Sequence, residues 1–349
     1  MDHPNLLETL RALTSARGPS GFEATVGQVA AELLRPYCDT VEIDVLGNVV
    51  GSLRCPRKDA PTLLLDAHLD QIGFIVSEVT KEGFLRVRSL GGVDERMLPA
   101  CDAVILTDPP RFGVFTSKPP HLQKADETDK SIPLTDLFID AGLSEGDEEA
   151  VPVGSAVVFA EEMARLSDGT VTGKALDDRA GITAILYALS LLQGKELPVH
   201  LKIVFSVGEE LSCVGAGPAA DRLAPDCALA VDVSHAKTPD APADKTFAFG
   251  GGPMIGAGPN LHRGLEDKLI RLAEEHQIPW QLEVMEGNTG TNAWPMQISR
   301  AGVPCALLSI PLRYMHTPIE TIALDDLTRV GQLMALFIEH FDGGDLHAF

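Results

Sequence analysis

The chain has 349 residues, 45% of them hydrophobic, which suits one large globular domain or two smaller ones and excludes global disorder. With 28 Lys and Arg against 50 Asp and Glu, its net charge of −22 repels phosphate backbones and anionic lipids, so neither nucleic acid nor a membrane is an expected partner. Cys38, Cys55, Cys101, Cys213, Cys227 and Cys305 form no Cys-x-x-Cys pair; this excludes a zinc ribbon and points to core thiols in a reducing cytoplasm.

Residues 4–16 carry Leu6, Leu7, Leu10 and Leu13 at helical spacing. The chain starts acidic, without a basic segment and a long apolar core, so no secretory signal is expected. No apolar run approaches the ~20 residues of a membrane helix. "GPSGFE" (18–23) breaks the first helix, and a second spans about 23–36 with Val26, Val29, Ala30, Leu33 and Leu34 as its stripe. Residues 41–54 read as strand, turn and strand around Gly47-Asn48. The run 62–67 is an apolar strand that continues into "DAHLDQIG".

The texture changes from 74 to about 161, where short strands are split by glycines and prolines and charges fill 109–133. A short helix is expected at 134–140, then a strand in "VPVGSAVVFAEE". These features predict a small β-rich domain, barrel or PDZ-like, at 74–162. It interrupts a larger domain formed by 1–73 and 163–349. Helices are then expected at 179–193, 265–276 and 324–341, and strands at 198–207, 227–234, 280–285 and 304–310. Asp325 and Asp326 sit near the positive end of the last helix. This alternation predicts an α/β fold, a mixed sheet with helices on both faces.

Open α/β sheets build their sites at the carboxyl ends of strands. Here the strand at 62–67 leads to His68 and Asp70, and "GKALDDRAG" supplies Asp177 and Asp178 before a helix. "VFSVGEEL" ends in Glu209 and Glu210, "ALAVDVSH" brings Asp232 and His235, and "LRYMHTPIE" brings His316. Each alone has an ordinary explanation: a surface histidine, an N-cap aspartate or a solvated acid pair. Asp232 is harder to explain that way, because an acid inside a β-branched run needs a partner when buried. The recurrence at successive strand ends favours a shared site.

Histidines and carboxylates without cysteine form a donor set suited to Zn, Co or Mn. One carboxylate can bridge two ions while another, left free, takes a proton from water. An adjacent Glu-Glu pair can supply both a ligand and a base.

The ordered set His-x-Asp, Gly-x-x-x-Asp-Asp-Arg, Glu-Glu, Asp-x-x-His and Arg-Tyr-Met-His-Thr-Pro resembles the tetrahedral aminopeptidase family. Its members include glutamyl aminopeptidases and proteins labelled cellulase M. The resemblance runs from "GPSGFE" to "HTPIE", and "KPPHL" (118–122) and the run at 136–140 resemble the family's inserted domain.

The resemblance implies a two-metal aminopeptidase acting on peptides. His68 and Asp232 hold one divalent ion, Glu210 and His316 the other, and Asp177 bridges them. Glu209 is the general base, Asp70 orients His68, and Asp178 shapes the turn. It also implies a homo-oligomer in which the inserted domain makes dimer contacts, dimers building a tetrahedral dodecamer. The chain departs from the common family spelling at Gln71, at Ser212 and in "GNTGTNAWPMQ" (287–297). Those departures bear on substrate preference.

Two other classes compete. Related di-metal carboxypeptidases, dipeptidases and N-acyl amino acid deacylases share much of the donor set, but their extra domain usually follows the Glu-Glu pair. A glycoside hydrolase needs an aromatic sugar platform, and the chain has two Trp and three Tyr. The acidic surface favours basic peptides, although a positive pocket would reverse this locally.

Overall fold

The computed structural model describes residues 4–122, 130–167 and 169–347; residues 123–129 of the proline- and charge-rich stretch lie outside them. Two helices lead, α1 (Pro4–Ser15) and α2 (Ala24–Leu34), followed by β1 (Thr40–Ile43), β2 (Val49–Leu53) and β3 (Thr62–His68). Leu6, Leu10 and Leu13 form the buried stripe of α1. The chain turns between the helices at Gly18, where a Cβ would lie 2.5 Å from Val26.

Next come β4 (Gly73–Val79), β5 (Phe84–Leu90), β6 (Asp102–Ile105), β7 (Arg111–Phe115), β8 (Ile139–Asp140) and β9 (Ala156–Phe159). They close into a barrel in the order β4-β5-β8-β7-β6-β9. Phe74 fills its core, 5.0 Å from the Phe115 ring and 5.5 Å from that of Phe159. The expected helix at 134–140 is instead a single 3-10 turn, Leu134–Asp136, followed by β8. Leu134 and Leu137 keep helical spacing, but the Phe138 carbonyl accepts the Thr116 amide at 2.8 Å and draws the chain into the barrel wall.

The rest of the chain contributes β10 (Ala164–Ser167), β11 (Thr170–Gly173), α3 (Leu176–Leu192), β12 (His200–Ser206), α4 (Ala216–Leu223) and β13 (Cys227–His235). After these come β14 (Met254–Ala257), α5 (Arg263–Glu275), β15 (Gln281–Val284), α6 (Ala293–Gln297), β16 (Cys305–Arg313), β17 (Glu320–Ala323) and α7 (Leu324–Glu339). An 11-stranded mixed sheet runs β1-β2-β12-β3-β13-β16-β17-β11-β10, with β14 and β15 branching from β16.

The centre of the sheet, β12, β3, β13 and β16, is parallel. Side chains alternate across a strand, so Leu63 and Leu65 face the layer of α1, α2, α3, α5 and α7, while Leu64 faces α4 and α6. Burial on both faces explains the continuous apolar runs of these strands. Their register aligns His68 with Ser206 and Asp66 with Ala230, gathering the carboxyl ends of β3, β12 and β13 on one edge of the sheet.

Candidate metal centre

His68 ends β3 almost fully buried. Its Nδ1 lies 3.0 Å from the Asp70 carbonyl oxygen and 3.5 Å from the Asp70 carboxylate, and its Nε2 lies 3.0 Å from Asp177 Oδ1. Asp177 and Asp178 stand at the start of α3, and the peptide between them is cis. The second oxygen of Asp177 lies 3.4 Å from His316 Nε2, and that nitrogen is also 3.4 Å from Glu210 Oε2. Asp177 therefore presents one oxygen to each histidine.

Asp232 belongs to β13. His68, Asp178 and Asp232 offer ligand atoms within 4.8 Å of one another, as do His68, Asp177 and Glu210. Both Asp178 oxygens already accept backbone amides, Oδ1 from Gly181 at 3.0 Å and Oδ2 from His68 at 3.2 Å. Gly181 leaves room for this turn, since a Cβ there would lie 2.4 Å from Asp178 Oδ1.

Two further carboxylates hold the backbone on which the site is built. Asp70 accepts the amides of Glu209 at 3.0 Å and Glu210 at 3.1 Å, together with the Ser20 hydroxyl at 2.6 Å. Glu320 accepts the amides of Asp177 at 3.1 Å and His316 at 3.0 Å. His316 sits at φ +62°, an uncommon conformation for a residue with a Cβ, and the Glu320 bond anchors it there. His68, Asp70, Asp177, Glu209, Glu210, Asp232 and His316, the residues to which the family resemblance gives ligand, base or orienting roles, thus converge. All but the buried His68 and Asp70 line one cleft of about 530 Å³.

A family model described as M42 glutamyl aminopeptidase matches residues 47–333. The chain belongs to the M42 aminopeptidase family. It is 33% identical over 338 residues to a lysyl aminopeptidase of Pyrococcus furiosus, an alignment covering 95% of this chain and 96% of the relative. An aminopeptidase structure from Desulfurococcus kamchatkensis superposes with a TM-score of 0.91 at 35% identity, covering 98% of this chain and 97% of that one. The TET1 peptidase of Pyrococcus horikoshii, described as able to assemble into a tetrahedron or a large octahedral shell, gives 0.84 at 28% identity, covering 96% and 100%.

The protein is thus a metal-dependent aminopeptidase with the large mixed sheet and barrel of the tetrahedral aminopeptidase fold. Membership in this family favours the aminopeptidase over the glycoside hydrolase and the carboxypeptidase or deacylase alternatives.

The charge balance of this M42 site fits divalent cations. Asp177, Glu209, Glu210 and Asp232 line the cleft with only His235 and His316 as nitrogen donors, and no Lys or Arg is among the described lining residues. Burial, reinforced by the Asp177 charge, pushes Glu210 up to about 8. Burial and the Asp178 charge raise Asp232 well above the carboxylate range. Burial acts the same way on Asp177, but hydrogen bonds from His316 and His68 prevail and hold it below that range. The histidines gain what the acid loses: against its own burial, the Asp177 hydrogen bond and the Glu210 charge lift His316 to about 9. Carboxylates and imidazoles gathered in a cleft whose described lining holds no Lys or Arg are a suitable donor set for cations, which require deprotonated ligands.

Three buried acids at or beside the site, Glu320, Asp66 and Glu283, have no role in the strand-end pattern. Glu320 closes "HTPIE", four residues after His316, and only the fold shows that it holds two amides. Asp66 lies fully buried behind the centre, where it accepts from Asn292 Nδ2 at 2.7 Å and Ser206 Oγ at 3.3 Å. Glu283 points into the cleft from β15. The available signal for Asp66 was an acid in the middle of an apolar strand; for Glu283 it was an acid between Leu282 and Val284.

Proposed function

We propose that the protein removes single N-terminal residues from peptides with two divalent cations, zinc or cobalt, manganese being a further metal this donor set serves. His68 and Asp232 hold one ion, Glu210 and His316 the other, and Asp177 bridges them. The observation that carries this reading is the division of Asp177: Oδ1 is 3.0 Å from His68 Nε2, and Oδ2 is 3.4 Å from His316 Nε2.

When bound, the cations polarise the scissile carbonyl and acidify water. Glu209 accepts the proton and returns it to the leaving amine. Burial raises its carboxyl, and the His68 charge opposes this while those of Asp177 and Asp70 reinforce it, which suits a group that must both take and give a proton. The surrounding acids receive the substrate's free α-amine. Asp70 fixes the Glu209–Glu210 backbone and Glu320 fixes Asp177 and His316, so the donor atoms are set before substrate arrives.

The assembly is a homo-oligomer, a tetrahedral dodecamer in which the barrel region, 74–162, makes dimer contacts. The TET1 relative's assembly supports this, as do the outward apolar side chains of β7, Phe112 at 59% and Val114 at 36% exposure. Cytoplasmic placement is supported by the six cysteines, all free. No helix among the described residues is long and apolar enough to cross a membrane.

A panel of aminoacyl anilides and N-acyl amino acids, assayed with added zinc, cobalt or manganese, tests the reaction. Turnover of free-amine substrates alone is expected. Turnover of the blocked substrates alone would overturn the reading.

A further inference from the structure

The edge strand β15 places its side chains in an order opposite to ordinary amphipathic patterning. Leu282 and Val284 are 41% and 74% exposed, whereas Glu283 between them is 6% exposed. A half-buried strand normally turns its apolar residues inward and its charges to water. Here the carboxylate goes in, and what it meets explains why.

Glu283 accepts the hydroxyls of Ser234 and, at 2.8 Å, Ser309. Ser309 is the register partner of Asp232 on the neighbouring strand, and Ser234 lies two residues beyond Asp232 on β13. The carboxylate therefore lies beside the end of the cleft that Asp232 lines. Two neutral donors satisfy part of its hydrogen-bonding capacity and none of its charge. No Lys or Arg is among the described residues lining this cleft. Burial raises the carboxyl, while the Ser234 and Ser309 hydroxyls pull it back towards the ionised form. A buried carboxylate held in this way favours a cation arriving from outside.

We propose that Glu283 is the specificity-determining residue of the enzyme and that it receives the cationic side chain of an N-terminal lysine or arginine. This rests on the aminopeptidase reading of the same cleft. The ammonium or guanidinium group supplies the partner that the protein withholds. A leucine side chain leaves the carboxylate unpaired against an apolar surface, and a glutamate side chain is repelled by it. Met285, which also lines the cleft, offers apolar contact to a methylene stem.

The test compares lysyl, arginyl, norleucyl and glutamyl anilides on wild type, Glu283→Gln and Glu283→Asp. Norleucine has a straight aliphatic side chain without the ammonium. Wild type is expected to prefer lysyl over norleucyl substrate in kcat/KM by ~10- to 100-fold, the range for a hydrogen bond to a charged group. Glu283→Gln is expected to lose that preference, its lysyl-to-norleucyl ratio falling towards one, with circular dichroism and thermal unfolding showing that the variant is folded. Glu283→Asp is expected to keep part of the preference. Calorimetric binding of lysinamide and norleucinamide is expected to follow the same order without turnover.

A wild-type preference for norleucyl or glutamyl substrate would overturn the proposal. So would an unchanged lysyl-to-norleucyl ratio in Glu283→Gln. Absence of turnover of every anilide would remove the aminopeptidase reading itself, and the subsite with it.

Discussion

Asp70 receives the backbone amide of Glu209 at 3.0 Å, and its other oxygen receives that of Glu210 at 3.1 Å. One buried carboxylate thus sets the path of the chain through both the proposed base and a proposed ligand. The same residue stands beside His68 through its carbonyl oxygen, 3.0 Å from Nδ1. Asp70→Asn keeps the size but puts an amide N–H₂ where a backbone N–H must be accepted. It is expected to lower kcat or metal affinity by ~10- to 100-fold, as outer partners of metal sites commonly do. Steady-state kinetics with metal titration checks this, and unchanged values for both would show that Asp70 does not position the pair.

Glu209 has no place in the two ligand pairs, and its Oε1 has a weak contact from Cys213 Sγ at 3.4 Å. A free carboxylate at the edge of a metal site acts on protons rather than on the ions. Glu209→Gln is expected to reduce kcat by ~10²- to 10⁴-fold with metal content unchanged. Elemental analysis alongside kinetics separates the two effects. Metal loss as severe as that of a ligand variant would make Glu209 a ligand instead.

Asp177 carries the division between the two histidines, so its removal acts on both proposed ions. Asp177→Ala is expected to bring metal content close to zero. Retention of both ions on elemental analysis would contradict the bridging assignment.

Asp66 offers a test by pH. Burial pushes its carboxyl up to about 7 against an ordinary value of 3.8, even though Ser206 and Asn292 donate to it. The native state therefore holds this proton more tightly than the unfolded chain does. Its contribution to stability is complete below pH 3.8 and is lost as the pH rises through about 7. Between pH ~5 and ~8 the wild type is expected to lose roughly 2–3 kcal/mol relative to Asp66→Asn, at about 1.4 kcal/mol per unit. Urea unfolding of the metal-free proteins at the two pH values measures this difference. Parallel pH profiles would show that Asp66 is not protonated in the fold.

Much of this architecture was legible because parallel strands buried on both faces announce themselves as apolar runs. Their polar continuations, such as His68 after Leu63–Leu65 or Asp232 within "LAVDVS", then mark the edge of the sheet where a site forms. The barrel was legible only as a change of texture. The stretch 134–140 shows why: Leu134 and Leu137 keep helical spacing, yet pairing with Thr116 across the barrel decides the conformation.

What local pattern did not carry was the work of acids on distant amides. Asp70 meets Glu209 from 139 residues away, and Glu320 meets Asp177 from 143. Asp66 and Asn292 are 226 residues apart. Such pairs have no period or spacing, and only closure of the sheet brings them together.

Two ions sharing Asp177 are the core of the proposed mechanism, and anomalous diffraction from zinc-loaded crystals tests this most directly. Two anomalous peaks per chain, ~3.5–4 Å apart, are expected. One lies between His68 and Asp232, the other between Glu210 and His316, with Asp177 touching both. A single peak, or two peaks with Asp177 bound to only one, would contradict it.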